Sequence, residues 1–175
     1  MDRRPGKRPT DDLLTPTLQE AGEAQAAPGK RPFRLQSQLW IGALGGVVPM
    51  FLLGMINAGR LRLPAEQRRR MLLLGLAALA AILAIWSWAQ FSAYGQASAD
   101  APGFFRGIRL ANQILGGLLY LAYRRLQQVA DRRFQFAGGA HASLWIPGIA
   151  VMLAGFAIQF AVLAGLAALH AGAQP

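Results

Sequence analysis

Four apolar stretches separate the polar segments of this chain, and length decides which of them can cross a bilayer. A crossing takes about 20 mostly apolar residues at about 1.5 Å each. Leu39–Gly59 is 21 residues without a charge, and Met71–Ala99 carries none either. Leu144–Leu169 is 26 residues, so it tilts in or overhangs a hydrocarbon core of about 30 Å. Leu110–Tyr123 is only 14 residues. It reaches spanning length by starting at Phe104 and taking in Arg106 and Arg109. The pattern predicts helices over 39–58, 71–91, 104–123 and 144–169. The fold class is therefore an all-α membrane protein, a bundle of four hydrophobic helices within 38–172.

The first helix departs from this pattern. It holds Gly42, Gly45, Gly46, Gly54 and Pro49. The alternative to four spans is three spans plus one re-entrant helix, broken at Gly45–Gly46 or Pro49. Residues 1–37 carry five prolines, mixed charge and scattered apolar residues. Such a segment buries too little surface to offset its ordering entropy, so a disordered basic tail is expected.

Composition agrees with a membrane solvent: 54% of residues are hydrophobic and 15% charged, against about 25% charged in ordinary globular domains. The net charge of +10 comes from 18 basic residues, all but Arg106 and Arg109 lying outside the four stretches. In a membrane protein such clusters meet anionic headgroups and lie on the cytoplasmic side. The expected partners are the bilayer itself and a membrane protein or second copy. No basic run is interleaved with aromatic residues, so nucleic acid is not expected. Loops 60–70 and 124–143 should then be cytoplasmic in a multi-pass protein of the cell (inner) membrane. Four spans would put the N-terminus outside, although Lys30, Arg31 and Arg34 flank the first helix. The re-entrant alternative keeps it inside.

Little in the sequence points to chemistry. None of the eight acidic residues falls within a predicted helix, and there is no cysteine. No metal site, no cofactor and no catalytic residue is expected, and the chain is read as a non-enzyme. The third helix carries the intramembrane polarity. Arg106, Arg109, Gln113 and Tyr120 recur at spacings of three, four and seven, with Asn112 one step beside them. Those spacings align on one helical face, and that face should meet other helices or water rather than lipid. Small residues at helix-packing spacing are Gly42 and Gly46 on the first helix, and Ala157, Ala161 and Gly165 on the fourth. Asn57 reads as a helix-terminating cap.

Gly45–Gly46, then Pro49, then Asn57, Arg60 and Leu61 before a basic loop resemble a pattern in small uncharacterised bacterial four-span membrane proteins. Those carry Gly-Gly-Pro-Leu-Ala leading to Asn-Tyr-Arg-x-Leu-Gly. Here Val47–Val48 separate the glycines from Pro49. The resemblance implies a four-span module and no known activity. The expected function is a structural, assembly or accessory membrane protein. The alternative is a small transporter or channel for an anionic or neutral solute, using the polar face of the third helix.

Overall fold

The structure is a computed structural model that describes residues 31–92, 97 and 103–172. Most of the expected disordered tail, residues 1–30, lies outside the described residues. The described chain is helical: α1 (Leu35–Gly45), α2 (Val47–Arg60), α3 (Ala65–Phe91), α4 (Phe104–Phe136) and α5 (Trp145–Gly172). The β contact among the described residues is an isolated parallel bridge between Phe33 and Ala142.

The expected single helix over 39–58 is two helices of 11 and 14 residues. At about 16 and 21 Å, neither alone reaches across a core of about 30 Å. The break is at Gly46, whose φ of +80° and ψ of −154° only glycine adopts without strain. Its N–H still donates to Gly42 O at 3.0 Å, closing the last turn of α1. Pro49 falls in the first turn of α2, where a missing N–H costs no intrahelical bond.

Two other boundaries move outward. α3 starts at Ala65, not Met71, and α4 runs on to Phe136 rather than ending at Tyr123. Both extensions are arginine-rich, and arginine is a good helix former. Arg68–Arg70 and Arg124–Arg125 therefore lie on helices, not in loops. α4 stops where Gly138 takes a φ of +75° and Gly139 N–H bonds Phe134 O.

Among the described residues two helices are long and apolar enough to cross a membrane: α3, with mean hydropathy 2.2, and the Trp145–Val162 part of α5, with 1.9. α1, α2 and α4 do not combine that length with that hydropathy. α4 is amphipathic, because Arg106, Arg109, Arg124 and Arg125 interrupt its apolar face, and α1–α2 is broken.

α4 is the central strut and packs on α1, α2 and α3, while α5 packs on α2 and α1. One core cluster gathers Met50, Met71, Leu119, Tyr120 and Tyr123 between α2, α3 and α4. A second joins Phe33, Ile41 and Leu53 to Leu144, Val151 and Met152 of α5 and its lead-in.

Candidate functional site

The fold's buried polarity sits at the two ends of the α1–α2 hairpin. At its base, the Phe33 backbone N–H donates to Asn57 Oδ1 at 2.7 Å. The residue two before α1 thus touches the last turn of α2, so the chain leaves the hairpin where it went in. Asn57 Nδ2 donates to Gln127 Oε1 of α4, also at 2.7 Å. Gln127 Nε2 in turn donates to Gly54 O at 3.1 Å. Both side chains are fully buried. Each amide acts as donor and acceptor at once, which is what a buried amide requires. Next to them Tyr123 Oη donates to Met71 O at 2.7 Å, tying α4 to α3. The ring edge packs against Gly54, where a Cβ would overlap it, and at Gly75 a Cβ would overlap the Phe51 ring and the Tyr123 hydroxyl.

The base is closed on its outer side as well. Ala142 N–H donates to Pro32 O at 2.9 Å. Arg60 lays its guanidinium 4.0 Å from the centre of the Phe33 ring and donates to Arg31 O at 2.8 Å. His141 Nε2 meets Asp131 Oδ1 at 2.9 Å, and Gln135 Nε2 donates to the other carboxylate oxygen at 2.8 Å. The carboxylate absent from the apolar stretches thus appears on the α4 extension, where it anchors the loop into α5.

At the hairpin's tip, Asn112 Oδ1 accepts from the N–H of Val47, the first residue of α2, at 3.2 Å. A side chain from α4 caps the N-terminus of another helix. Beside it Gly42 and Gly116 put their backbones in contact: a Cβ on Gly42 would stand 2.9 Å from Gly116 O. A Cβ on Gly116 would stand 2.6 Å from the Gly46 carbonyl carbon. From Asn112 to Gln127 α4 rises about 22 Å and so touches the hairpin at both its tip and its base.

The structure separates the predicted polar face of the third helix. Arg106 and Arg109 are exposed, Gln113 is half-buried, and Tyr120 is buried in the core between α2 and α4. Asn112 is spent on the cap. Gly42 and Gly46 together cradle Gly116, an intramolecular contact. Ala157 and Ala161 are exposed, and a Cβ at Gly165 would meet nothing within 4 Å; Gly155, not part of that ladder, takes Pro49 instead. Asn57 is no carbonyl cap: its amide spans from α2 to α4 and to the start of the hairpin. Gln127 and the Asp131–His141 pair escape the sequence reading because residues past Tyr123 read as loop; Tyr123 lies inside the predicted helix, but its partner, Met71 O, is 52 residues away. Among the described residues no group of three metal-ligating side chains gathers.

Between α1 and the start of α5 a groove of about 840 Å³ runs from Arg34, His141 and Ser143 past Trp40 to Leu44 and Ile149. Comparison of the chain with family models, with curated proteins and with solved structures found no match in any of the three.

Proposed function

We propose that this chain is an integral membrane protein of three spanning helices, α3, α4 and α5, and one re-entrant hairpin, α1–α2, and that it works as a structural, assembly or accessory component of the membrane. The bond from Phe33 to Asn57 carries the topology: a segment whose two ends meet has gone in and come back. The N-terminal cluster, loop 60–70 and the end of α4 then share one side, which the positive-inside rule makes cytoplasmic. Arg106 and Arg109 fall at the other end of α4, where they snorkel to headgroups.

Exposure supports the membrane. Only 17% of the apolar window of α3 and 11% of that of α5 is buried inside the protein. The core helix of a water-soluble domain would be mostly buried. Here Leu73, Leu76, Leu153 and Phe160 face outward, and an apolar surface that large needs lipid or a partner. Half-helices of 11 and 14 residues are tolerated at depth because α4 and α5 cover them.

A broken helix is where transporters commonly hold a solute, and it is the feature that favours transport. In this chain the break is already filled. Asn112 occupies the freed N–H of α2, and Gly116 fills the space between the half-helices. The amides of Asn57 and Gln127 are engaged with each other and with backbone groups. A break already filled by the chain's own groups fits a component that works through helix contacts better than one that holds a solute there.

The test is paired. Purified protein in liposomes should leave anion and neutral-solute flux at background, while gentle extraction from native membranes should yield a stoichiometric membrane-protein partner. Flux abolished by Arg109→Ala with Gln113→Leu, in protein that still folds, would establish the transport reading instead.

A further inference from the structure

We propose that the groove between α1 and α5 holds one anionic phospholipid, headgroup at Arg34 and Ser143, acyl chain running toward Leu44. The proposal rests on the membrane reading given above, and it assigns a site where that reading needs only a solvent.

The groove is built with two unlike ends. Its mouth is the hairpin base, with Arg34, His141 and Ser143 on the lining. Its inner end is Leu44, two residues from the break at Gly46, opposite Ile149 on α5. From Arg34 to Leu44 is about 15 Å along α1, so the groove reaches from headgroup level into the hydrocarbon. Its walls are exposed: Trp40 is 67% and Leu44 54% accessible. Trp40 stands between the two ends, as an amphipathic ring does at an interface.

Charge selects the occupant. Arg34 is exposed and forms no ion pair among the described residues. Arg34 is the guanidinium on the groove's lining, while Arg60 is engaged by the Phe33 ring and Arg31 O. The carboxylate of this cluster, Asp131, has both oxygens engaged, by His141 and Gln135, and its side chain is buried. A guanidinium with nearby hydroxyl donors fits a phosphate diester. A neutral lipid would leave that donor set without an anion, and a free phosphate would leave the apolar length empty.

The experiment uses the full chain, reconstituted in equimolar phosphatidylcholine and phosphatidylglycerol, extracted and weighed by native mass spectrometry. One phosphatidylglycerol should be retained in roughly fivefold preference to phosphatidylcholine. Arg34→Gln should bring the two to parity, and Ile149→Trp, which fills the groove, should abolish retention of both. Absence of the adduct, equal retention in the unaltered protein, or no change in either variant overturns the site. Labelling of Gln36→Cys and Ser143→Cys from each side of the same vesicles separates the two failures. With both on one side, a missing adduct overturns the lipid site alone. With them on opposite sides, α1 and the start of α5 cannot share a groove, and both readings fall.

Discussion

The backbone N–H of Phe33 lies 2.7 Å from Oδ1 of Asn57, across 24 residues and a full excursion of two helices. That contact closes the glycine-rich segment into a hairpin of two helices. Asn57 then passes the connection on to Gln127, so the hairpin is fastened to α4 by side chains that lipid cannot replace.

This fastening predicts coupled losses. Asn57→Leu strands the Phe33 N–H and Gln127 Oε1, and Gln127→Leu strands Asn57 Nδ2. Each single variant should lose about 1–3 kcal/mol in reversible unfolding from detergent micelles. The double variant should lose less than the sum, by about 0.6–1.7 kcal/mol, the range measured for interhelical bonds in membranes. Strict additivity would mean that the two amides do not depend on each other.

Neighbouring glycines on α4 should behave oppositely. Gly116 is wedged on the backbone of Gly42 and Gly46, whereas a Cβ at Gly117 meets nothing within 4 Å. Gly116→Ala should cost about 1–3 kcal/mol by forcing the helices apart. Gly117→Ala should stabilise slightly, because alanine is the better helix former. Equal effects in a thermal melt would refute the close crossing of α1 and α4.

Two buried glutamines should also part company. Gln38 is 1% exposed and its Nε2 is without a hydrogen-bond partner, while both ends of the Gln127 amide are engaged. Replacing an unpartnered polar group by an apolar one of similar shape is neutral or stabilising. Gln38→Met should therefore hold or raise the unfolding temperature, and Gln127→Met should lower it.

At the other side of the base, Asp131 holds His141 and with it the loop into α5. His141→Ala should speed hydrogen exchange of the Ala142 N–H, which bonds Pro32 O, by about tenfold, the equivalent of one charge-assisted bond. Exchange that does not change would mean that the Phe33–Ala142 bridge holds the loop without the pair.

The apolar stretches of α3 and α5 are legible in sequence because a bilayer imposes length and composition on each helix separately. The break at Gly46 is half-legible: two glycines and Pro49 offer a place to break. Whether the halves separate depends on Asn112, which caps α2 from 65 residues away. The role of Asn57 is not legible, since its partner stands 70 residues on. That partner fell outside the predicted third helix, because Arg124 and Arg125 read as the start of a loop. Both arginines lie within α4 and do not mark its end. The same error hid Asp131, the one buried carboxylate among the described residues. The stripe of Arg106, Arg109, Gln113 and Tyr120 was real as spacing. Spacing alone does not show depth: Arg106 and Arg109 are exposed while Tyr120, on the same stripe, is buried.

In the proposed topology the chain enters and leaves the α1–α2 hairpin on one side of the membrane. The protein has no native cysteine, so single cysteines report their side directly. Gln36→Cys, Ser98→Cys in the connection between α3 and α4, and Ser143→Cys should each be probed with a membrane-impermeant thiol reagent in sealed, oriented vesicles. With a re-entrant hairpin, cysteines at 36 and 143 label from the cytoplasmic side and a cysteine at 98 from the opposite side. Labelling of Gln36 together with Ser98, opposite to Ser143, would mean that α1–α2 crosses the membrane, and would contradict it.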